Sequence, residues 1–405
     1  MNVTPELIRE AASKIAGQVI ETPTVPSPRL SALTGAEVFL KLENLQHTGS
    51  FKVRGALFKL LSLDVATRQR GVIAMSAGNH AQGVAFHCQR LGIPATIVMP
   101  KATPFTKVDR TAAMGAKIVL KGETLSDAAA FARDHAKAQS LTFIHPYDDP
   151  LIVAGQGTVA LEMLAAVPDL DMLVVPIGGG GLISGCAIAA RALTPGMKIV
   201  GVQAALYATM KQQGRPIRGG STLAEGIAVK EPGALTRAIV DKLVDDIVLV
   251  EEPLIERAVN LMVTEAKVTA EGAGAAPLAA MLCEPERFRG RRVGLVVSGG
   301  NIDPRQVASI LTRGLLRDGR IARLRVEITD VPGMLARVTA AIAEADGNVI
   351  EVYHQRLFQD VPVTRADLDI VLETRNRAHL EEIIARIEAT GITVRLLENT
   401  AEAAR

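Results

Sequence analysis

One lysine in the stretch TGSFKVRG stands among residues small enough to leave room for another molecule. Lys52 follows an aromatic residue, Phe51, and the neighbouring residues include threonine, glycine and serine. A lysine used in covalent catalysis forms a Schiff base with a carbonyl group, and its site must lower the amine pKa from about 10.4. The segment therefore predicts a reactive lysine, for which a solvated surface lysine is the common alternative.

A run of four glycines follows a predicted strand and precedes an apolar helix. Backbone N–H groups at a helix N-terminus bind phosphate, and one glycine would be enough for a tight turn. The spacing fits neither the G-x-G-x-x-G fingerprint, whose last glycine would fall on Ile183 or Ser184, nor a Walker A loop. We expect a cup for the phosphate of a ligand other than NAD or ATP, formed by Gly178, Gly179, Gly180 and Gly181.

Two further segments place polar side chains directly after predicted strands. In SAGNHAQG, Ser76 and Asn79 suit a substrate carboxylate, although both residue types are also common helix caps. His80 has no partner at metal-ligand spacing, so we expect a local hydrogen bond. In VVSGGN, the Ser298 hydroxyl either meets a ring nitrogen or begins a turn. Together with Lys52 and the glycine cup, these segments predict one site for a phosphorylated aldehyde that joins an amino acid to a lysine.

Short apolar strands alternate with helical segments from about residue 37 to residue 300, a pattern typical of parallel sheets covered on both faces. Several strands end in glycine, serine or asparagine, where an open α/β sheet presents its ligand site. The predicted strands are 37–43, 71–76, 94–100, 116–122, 171–178, 198–204, 246–251 and 292–300, and two predicted helices are 79–91 and 182–193.

The C-terminal region has a different pattern. Residues 313–324 are charged and contain two glycines, which indicates a linker. Beyond them, strands and helices follow the order βαββαβ over roughly 80 residues, which is typical of a ferredoxin-like unit. We therefore expect two domains, at residues 1–318 and 323–405.

Composition excludes several classes of function. With a formal net charge of +2 and 3% aromatic residues, we expect neither a nucleic-acid partner nor binding to an acidic membrane. Three widely spaced cysteines argue against disulfides and against a zinc site, so no metal is expected. The N-terminus lacks a continuous apolar stretch, and residues 172–190 are interrupted by glycines, so we predict no secretory signal and no membrane span. These features predict a soluble, cytoplasmic protein.

The motifs TGSFKVRGA, SAGNHAQG, GGGGL and SGGN, in this order, resemble those of the fold-type II pyridoxal-phosphate enzymes, and they are most similar to the threonine ammonia-lyases (threonine dehydratases). The resemblance extends through HPYDDP, AGQGT and EGAGAAPLAA and covers about residues 5 to 315. It implies a two-lobed, doubly wound α/β fold like that of tryptophan synthase β, with pyridoxal 5′-phosphate as cofactor. The implied reaction is α,β-elimination of water from L-threonine, and from L-serine, giving ammonia and 2-oxobutanoate or pyruvate. It also implies a step towards isoleucine and a homotetramer.

The resemblance implies a role for each motif at the cofactor. Lys52 would hold the cofactor covalently and remove the substrate Cα proton, while Phe51 would pack on the pyridine ring. Asn79 would bond the 3-hydroxyl group. Ser298 would meet the pyridine nitrogen, and its neutral hydroxyl would favour β-elimination over transamination.

Two anion sites are implied in the same way. The four glycines from Gly178 to Gly181, together with Leu182, would hold the cofactor phosphate, which would also protonate the leaving hydroxyl group of the substrate. Ser76, with the neighbouring backbone amides, would hold the substrate carboxylate.

Position 77 separates the related activities. Serine racemases of this family resemble SSGNH, whose second serine works on the opposite face of the cofactor, whereas this chain has Ala77. We therefore expect poor racemisation. The alternatives are a serine or 3-hydroxyaspartate ammonia-lyase or racemase on the same fold, a cysteine synthase-like β-replacement enzyme, and a non-catalytic amino-acid sensor.

Within the βαββαβ unit, the segment EITDVPGMLARV at residues 327–338 resembles an ACT domain. This resemblance implies allosteric control by an amino acid, isoleucine or valine, and the alternative is a structural or dimerising role. Gly333 and Asn348 would lie near the effector in the family geometry.

Overall fold

A computed structural model of the chain describes residues 2–212, 214, 216–355 and 364–397. The described residues fall into two compact units, which divide between Asp303 and Pro304. Residues 356–363 and 398–405, which the predicted second domain includes, lie outside the described residues.

The described strands of the first unit include all eight strands that the sequence predicts. Two short strands, β1 and β6, were not predicted, because two or three residues are too few to show a periodic pattern. The strands are β1 (Thr24–Pro26), β2 (Glu37–Leu42), β3 (Val72–Met75), β4 (Ala95–Met99), β5 (Lys117–Leu120), β6 (Thr142–Phe143), β7 (Met172–Pro176), β8 (Lys198–Ala204), β9 (Asp246–Val250) and β10 (Arg292–Val297).

These strands form two sheets, as a two-lobed α/β fold requires. The six-stranded sheet has the order β1-β2-β10-β7-β8-β9 and is parallel except for β1, while the four-stranded sheet β5-β4-β3-β6 is parallel throughout. Because Val297 of β10 pairs with Leu42 of β2, the residues that follow these two strands lie at one edge of the sheet. The predicted fold class is confirmed.

Helices cover the sheets of the first unit. The sequences of α8 and α12 are apolar on nearly all sides, and both helices are buried over most of their length. The helices are α1 (Pro5–Ile15), α2 (Pro28–Thr34), α3 (Lys52–Leu61), α4 (Val65–Arg70), α5 (Asn79–Leu91), α6 (Phe105–Ala112), α7 (Leu125–Ala138), α8 (Pro150–Ala166), α9 (Gly181–Leu193), α10 (Ala234–Leu243), α11 (Glu252–Thr264), α12 (Gly272–Cys283) and α13 (Pro285–Phe288).

The second unit contains one antiparallel sheet with the strand order β12-β13-β11-β14. After its first helix, the elements follow the predicted order βαββαβ, and β11 buries Leu324, Val326 and Ile328 on one face. Its elements are α14 (Pro304–Arg317), β11 (Ile321–Thr329), α15 (Met334–Glu344), β12 (Asn348–Gln355), β13 (Arg365–Glu373), α16 (Arg377–Glu388) and β14 (Thr393–Leu396).

The predicted linker at residues 313–324 is wrong. Helix α14 continues through Arg317 and β11 begins at Ile321, so only three residues separate them. The charged residues belong to an amphipathic helix that buries Ile310 and Gly314, and one of the two glycines therefore lies inside the helix. The two compact units divide before this helix, whereas the predicted first domain includes it.

Candidate active site

Lys52 lies at the first position of α3, and the residues directly before it are hydrogen-bonded to the segment at the end of β10. The Lys52 Nζ donates a hydrogen bond to the Pro146 carbonyl at 2.7 Å and lies 5.2 Å from the centroid of the Phe51 ring. The Phe51 N–H donates to the Ser298 carbonyl at 3.1 Å, and Ser50 pairs with the residue after Ser298. Phe51 and Lys52 are thus brought next to Ser298, which is distant from them in sequence.

The environment of Lys52 favours its neutral form. Burial lowers the pKa of the Lys52 amine to about 8, although the nearby charge of Glu271 acts in the opposite direction. At pH 7, an amine with a pKa of about 8 is neutral roughly two hundred times more often than one with a pKa of about 10.4. The neutral amine is the form that attacks a carbonyl carbon or accepts a proton.

The glycine run forms the turn between β7 and α9. Gly180 precedes α9 with a φ of 93°, a conformation that favours glycine. A Cβ atom on Gly179 would lie 2.2 Å from Cγ of Tyr147, so the tyrosine ring leaves no room for a side chain. Thr236 fixes the turn by donating from Oγ1 to the Gly179 carbonyl at 2.6 Å. The turn therefore offers backbone groups at a helix N-terminus, which suits a phosphate.

The turn and the lysine share one neighbouring segment. Pro146 accepts the hydrogen bond of Lys52, and the next residue, Tyr147, packs on Gly179. The Tyr147 hydroxyl donates to the Glu231 carbonyl at 2.8 Å and so anchors the ring. The segment HPYDDP thus connects the two halves of the candidate site, a role that the sequence did not suggest.

Asn79 begins α5, as predicted, and its amide is held by two neighbours. Nδ2 donates to Glu271 Oε1 at 2.7 Å, and Oδ1 accepts from Asn301 Nδ2 at 2.8 Å. The side chain is therefore fixed beside the end of β10, where Ser298 lies.

Ser76 and His80 both make local hydrogen bonds. The Ser76 Oγ accepts from the Gly78 N–H at 3.1 Å, which shapes the turn before α5. His80 Nε2 bonds the Ile144 carbonyl at 3.0 Å, which confirms the predicted local role of this histidine. Burial lowers the pKa of His80 to about 3, so its ring is neutral at physiological pH. No hydrogen bond joins Ser76 to the other predicted site residues within the described part of the chain.

Glu271 is a site residue that sequence reasoning missed. Its backbone N–H donates to the Gly299 carbonyl at 3.0 Å, and its carboxylate bonds Asn79. Burial raises the pKa of Glu271 to about 7, against the opposing effect of the Asn79 hydrogen bond. The available signal was an acidic residue in EGAGAAP, directly before an apolar helix, which is also an ordinary place for a helix cap.

Replacing Glu271 with glutamine should change how stability depends on pH. The folded protein keeps the Glu271 proton up to a pH of about 7, whereas the unfolded chain loses it near 4.5. The wild-type apoprotein therefore loses stability as pH rises from 4.5 to 7, by about 2 to 3 kcal/mol, and Glu271→Gln should not. Denaturant unfolding of both apoproteins at pH 5 and pH 7 tests this, and parallel changes in stability would contradict it.

The described part of the chain offers neither a metal cluster nor a membrane-spanning helix. Among the described residues, no three His, Cys, Asp or Glu side chains are grouped so that they could hold a metal ion. In the same part of the chain, no helix is both long and apolar enough to cross a membrane.

Comparison with known families identifies the scaffold. The profile of the family described as pyridoxal-phosphate dependent enzyme matches residues 15–299, which include Lys52, Asn79, the glycine turn, Glu271 and Ser298. This chain is a pyridoxal-phosphate dependent enzyme. A second profile, described as ACT domain, matches residues 318–391, so this pyridoxal-phosphate dependent enzyme carries a C-terminal ACT domain.

Relatives and solved structures show which enzymes this chain is similar to. The L-threonine ammonia-lyase of Thermotoga maritima is 42% identical over 400 residues, which cover 98% of this chain and 100% of that protein. The crystal structure of T.th. threonine deaminase has a TM-score of 0.70 at 37% identity and covers 74% of this chain and 99% of its own. Maize serine racemase has a TM-score of 0.73 at 33% identity, with coverages of 78% and 99%.

The residues of this pyridoxal-phosphate dependent enzyme fit its cofactor. The Lys52 amine has a lowered pKa, and the Gly179 turn excludes side chains from a helix N-terminus. Ser298 is buried directly after β10, and its carbonyl accepts from the N–H of Phe51, so its hydroxyl lies beside the residue that precedes Lys52. A cofactor with an aldehyde, a phosphate and a ring nitrogen offers a partner to each of them: the aldehyde to the amine, the phosphate to the turn, and the ring nitrogen to the Ser298 hydroxyl.

Proposed function

We propose that this enzyme deaminates L-threonine to 2-oxobutanoate and ammonia, and L-serine to pyruvate and ammonia. The observation that carries the proposal is the Lys52 amine, which has a pKa of about 8 and shares the Pro146–Tyr147 segment with the glycine turn. The likeness to L-threonine ammonia-lyase along nearly the whole chain supports L-threonine as the substrate. We further propose that the enzyme is a cytoplasmic homotetramer and that its reaction is a step towards isoleucine. Its functional domains would be residues 1–318 and residues 323–405.

Each site residue has a task in this reaction. Pyridoxal phosphate, when bound, withdraws electrons from the substrate α-carbon and makes its proton acidic. The neutral amine of Lys52 takes up that proton. The turn at Ser76 and the free N–H groups at the start of α5 hold the substrate carboxylate. The Ser298 hydroxyl supplies no negative charge at the ring nitrogen, which favours loss of the β-hydroxyl over transamination.

Asn79 and Phe51 orient the ring system of the cofactor. The Asn79 amide is held by Glu271 and Asn301, so one N–H remains to meet the 3-hydroxyl group. Phe51 presents an apolar ring directly before Lys52 and would pack against the pyridine ring of the cofactor.

Racemisation is the second candidate activity, because maize serine racemase shares this fold at 33% identity. Ala77 supplies no hydroxyl that could protonate the opposite face of the α-carbon. With L-serine as substrate, we expect pyruvate to exceed D-serine by more than about tenfold, a difference of about 1.4 kcal/mol between the two barriers. Pyruvate assay with chiral analysis of serine tests this, with L-threonine in parallel. D-serine in excess of pyruvate would favour the racemase, and Ala77→Ser is the matched variant that should raise the D-serine share.

The ACT domain supports regulation by an amino acid, and we propose isoleucine or valine. Gly333 is exposed and precedes α15 with a φ of 92°. Asn348 is exposed at the start of β12, and its Nδ2 donates to Glu373 Oε2 at 3.1 Å. A backbone turn and an amide are groups that bind an amino-acid ligand through its carboxylate and ammonium groups.

Replacing Asn348 with alanine should weaken the response to isoleucine. We expect the isoleucine concentration for half-maximal inhibition to rise at least about tenfold, within the usual range of allosteric coupling energies. Each variant is compared with its own uninhibited rate on L-threonine. The control is Thr339→Ala on α15, whose hydroxyl bonds only backbone oxygens of its own helix. An unchanged isoleucine curve in Asn348→Ala would contradict the proposed effector site.

A further inference from the structure

Two residues after Lys52, the side chain of Arg54 is fully buried between two carboxylates. Its Nε and Nη2 donate to the two oxygens of Glu43, both at 2.8 Å. Nη2 also donates to Glu162 Oε2 at 2.7 Å, and Nη1 bonds the other oxygen of Glu162. Burial opposes the charge, but Glu43 and Glu162 raise the pKa of Arg54 above its ordinary value. The guanidinium is therefore charged and held in one orientation.

The charges in this cluster balance. Lys41 is also fully buried, and its Nζ donates to Glu162 Oε2 at 2.6 Å. The cations Arg54 and Lys41 thus face the carboxylates Glu43 and Glu162. Such networks give little net stability compared with apolar side chains, because desolvation of the charges offsets their attraction. Because the cluster adds little net stability, its main consequence is that it holds these four side chains in a defined geometry.

That geometry bears directly on Lys52. Successive residues of an α-helix are rotated by about 100°, so Lys52 and Arg54 are separated by about 200° and lie on nearly opposite sides of α3. Arg54 contacts Glu43 after β2 and Glu162 on α8, while Lys52 contacts Pro146. A rotation of α3 about its axis would move both side chains, so fixing one fixes the other.

We propose that Arg54 is a positioning residue, which sets the rotation of the first turn of α3 and so directs the Lys52 amine into the active site. This inference rests on the proposed catalytic use of Lys52. A displacement of about 1 Å in a catalytic group can slow a reaction about 10²-fold. Lysine could not replace Arg54, because a single ammonium group lacks the planar fork that bonds two carboxylates.

The test compares Arg54→Met with the double variant Arg54→Met/Glu43→Gln. The single variant leaves a buried carboxylate unpaired and should lower the Tm on the order of 10 °C. The double variant keeps the Lys41–Glu162 pair, so most of the Tm should return. We expect the kcat of the double variant on L-threonine to remain about 10- to 100-fold below that of wild type, and its KM to stay within about threefold of the wild-type value. Recovery of kcat together with Tm would show a merely structural role and overturn the proposal.

A second readout needs no substrate. Borohydride reduction of the holoenzymes, followed by peptide mass spectrometry, gives the share of cofactor joined to Lys52. We expect that share to fall by at least about half in the double variant, and a wild-type share would overturn the proposal. If wild type itself does not act on L-threonine, the proposed function fails, and this second readout still decides the role of Arg54.

Lys59→Met is the matched control. Lys59 lies on the same helix and forms an ion pair with Asp149 at 2.6 Å, but it lies nearly two turns beyond Lys52. This variant should keep kcat within about twofold of wild type and the full share of cofactor on Lys52. An effect equal to that of the double variant would mean that any ion pair on α3 matters, which would overturn the specific role of Arg54.

Discussion

Replacing Lys52 with methionine should lower kcat on L-threonine by at least about 10³-fold, because the variant has no amine to hold the cofactor or to take the α-proton. Methionine keeps most of the apolar stem, so the packing around position 52 changes little. The measurement is 2-oxobutanoate release by wild type and variant loaded with equal cofactor. A variant that retains a tenth of the wild-type rate would show that another group removes the proton.

The same substitution should stabilise the apoprotein at neutral pH. Burial lowers the pKa of Lys52 from 10.5 to about 8, so the folded state binds its proton less tightly than the unfolded chain does. Wild type is therefore destabilised by up to about 3 kcal/mol below pH 8, and this penalty disappears as pH rises to about 10.5. Lys52→Met should exceed wild type in unfolding free energy at pH 7 and lose that advantage at high pH. A variant less stable than wild type at pH 7 would contradict this.

Replacing Gly179 with alanine should weaken cofactor binding at least about 30-fold, or by about 2 kcal/mol. The new Cβ would lie 2.2 Å from Cγ of Tyr147, so either the tyrosine ring or the phosphate-binding turn must move. The ring is anchored by its hydroxyl, which leaves the turn as the part that shifts. Titration of the apoproteins with pyridoxal phosphate, followed by absorbance, measures the change.

The control for this prediction is Gly196→Ala, an exposed position where an added Cβ meets nothing within 4 Å. It should bind the cofactor as wild type does. An affinity in Gly179→Ala equal to that of this control would show that the turn tolerates a side chain and does not hold the phosphate closely.

Local patterns predicted much of the fold and the position of the motifs. The start of α5 at Asn79 and the helix after the glycine run follow from strand, turn and cap signals within a few residues. The parallel sheets follow from apolar strands that alternate with helices. In the second unit, charge and glycine content wrongly indicated a linker, because the same residues also satisfy an amphipathic helix that ends at Arg317.

Contacts between distant residues could not be predicted from one sequence. Glu271 meets Asn79 across 192 positions, and Arg54 meets Glu162 across 108. Nothing in the local sequence distinguishes a buried, paired carboxylate from an exposed one. Both contacts depend on which strands and helices become neighbours, and they decide the orientation of Asn79 and of the helix that carries Lys52.

The most direct test of the proposed deamination is the ratio of the two products released from L-threonine. Purified enzyme loaded with pyridoxal phosphate is incubated with L-threonine, and ammonia and 2-oxobutanoate are measured over time in the same samples. We predict that both products appear in equal amounts and at equal rates, with L-serine giving pyruvate and ammonia in the same ratio. Cofactor-loaded enzyme that releases neither product from L-threonine would contradict the account.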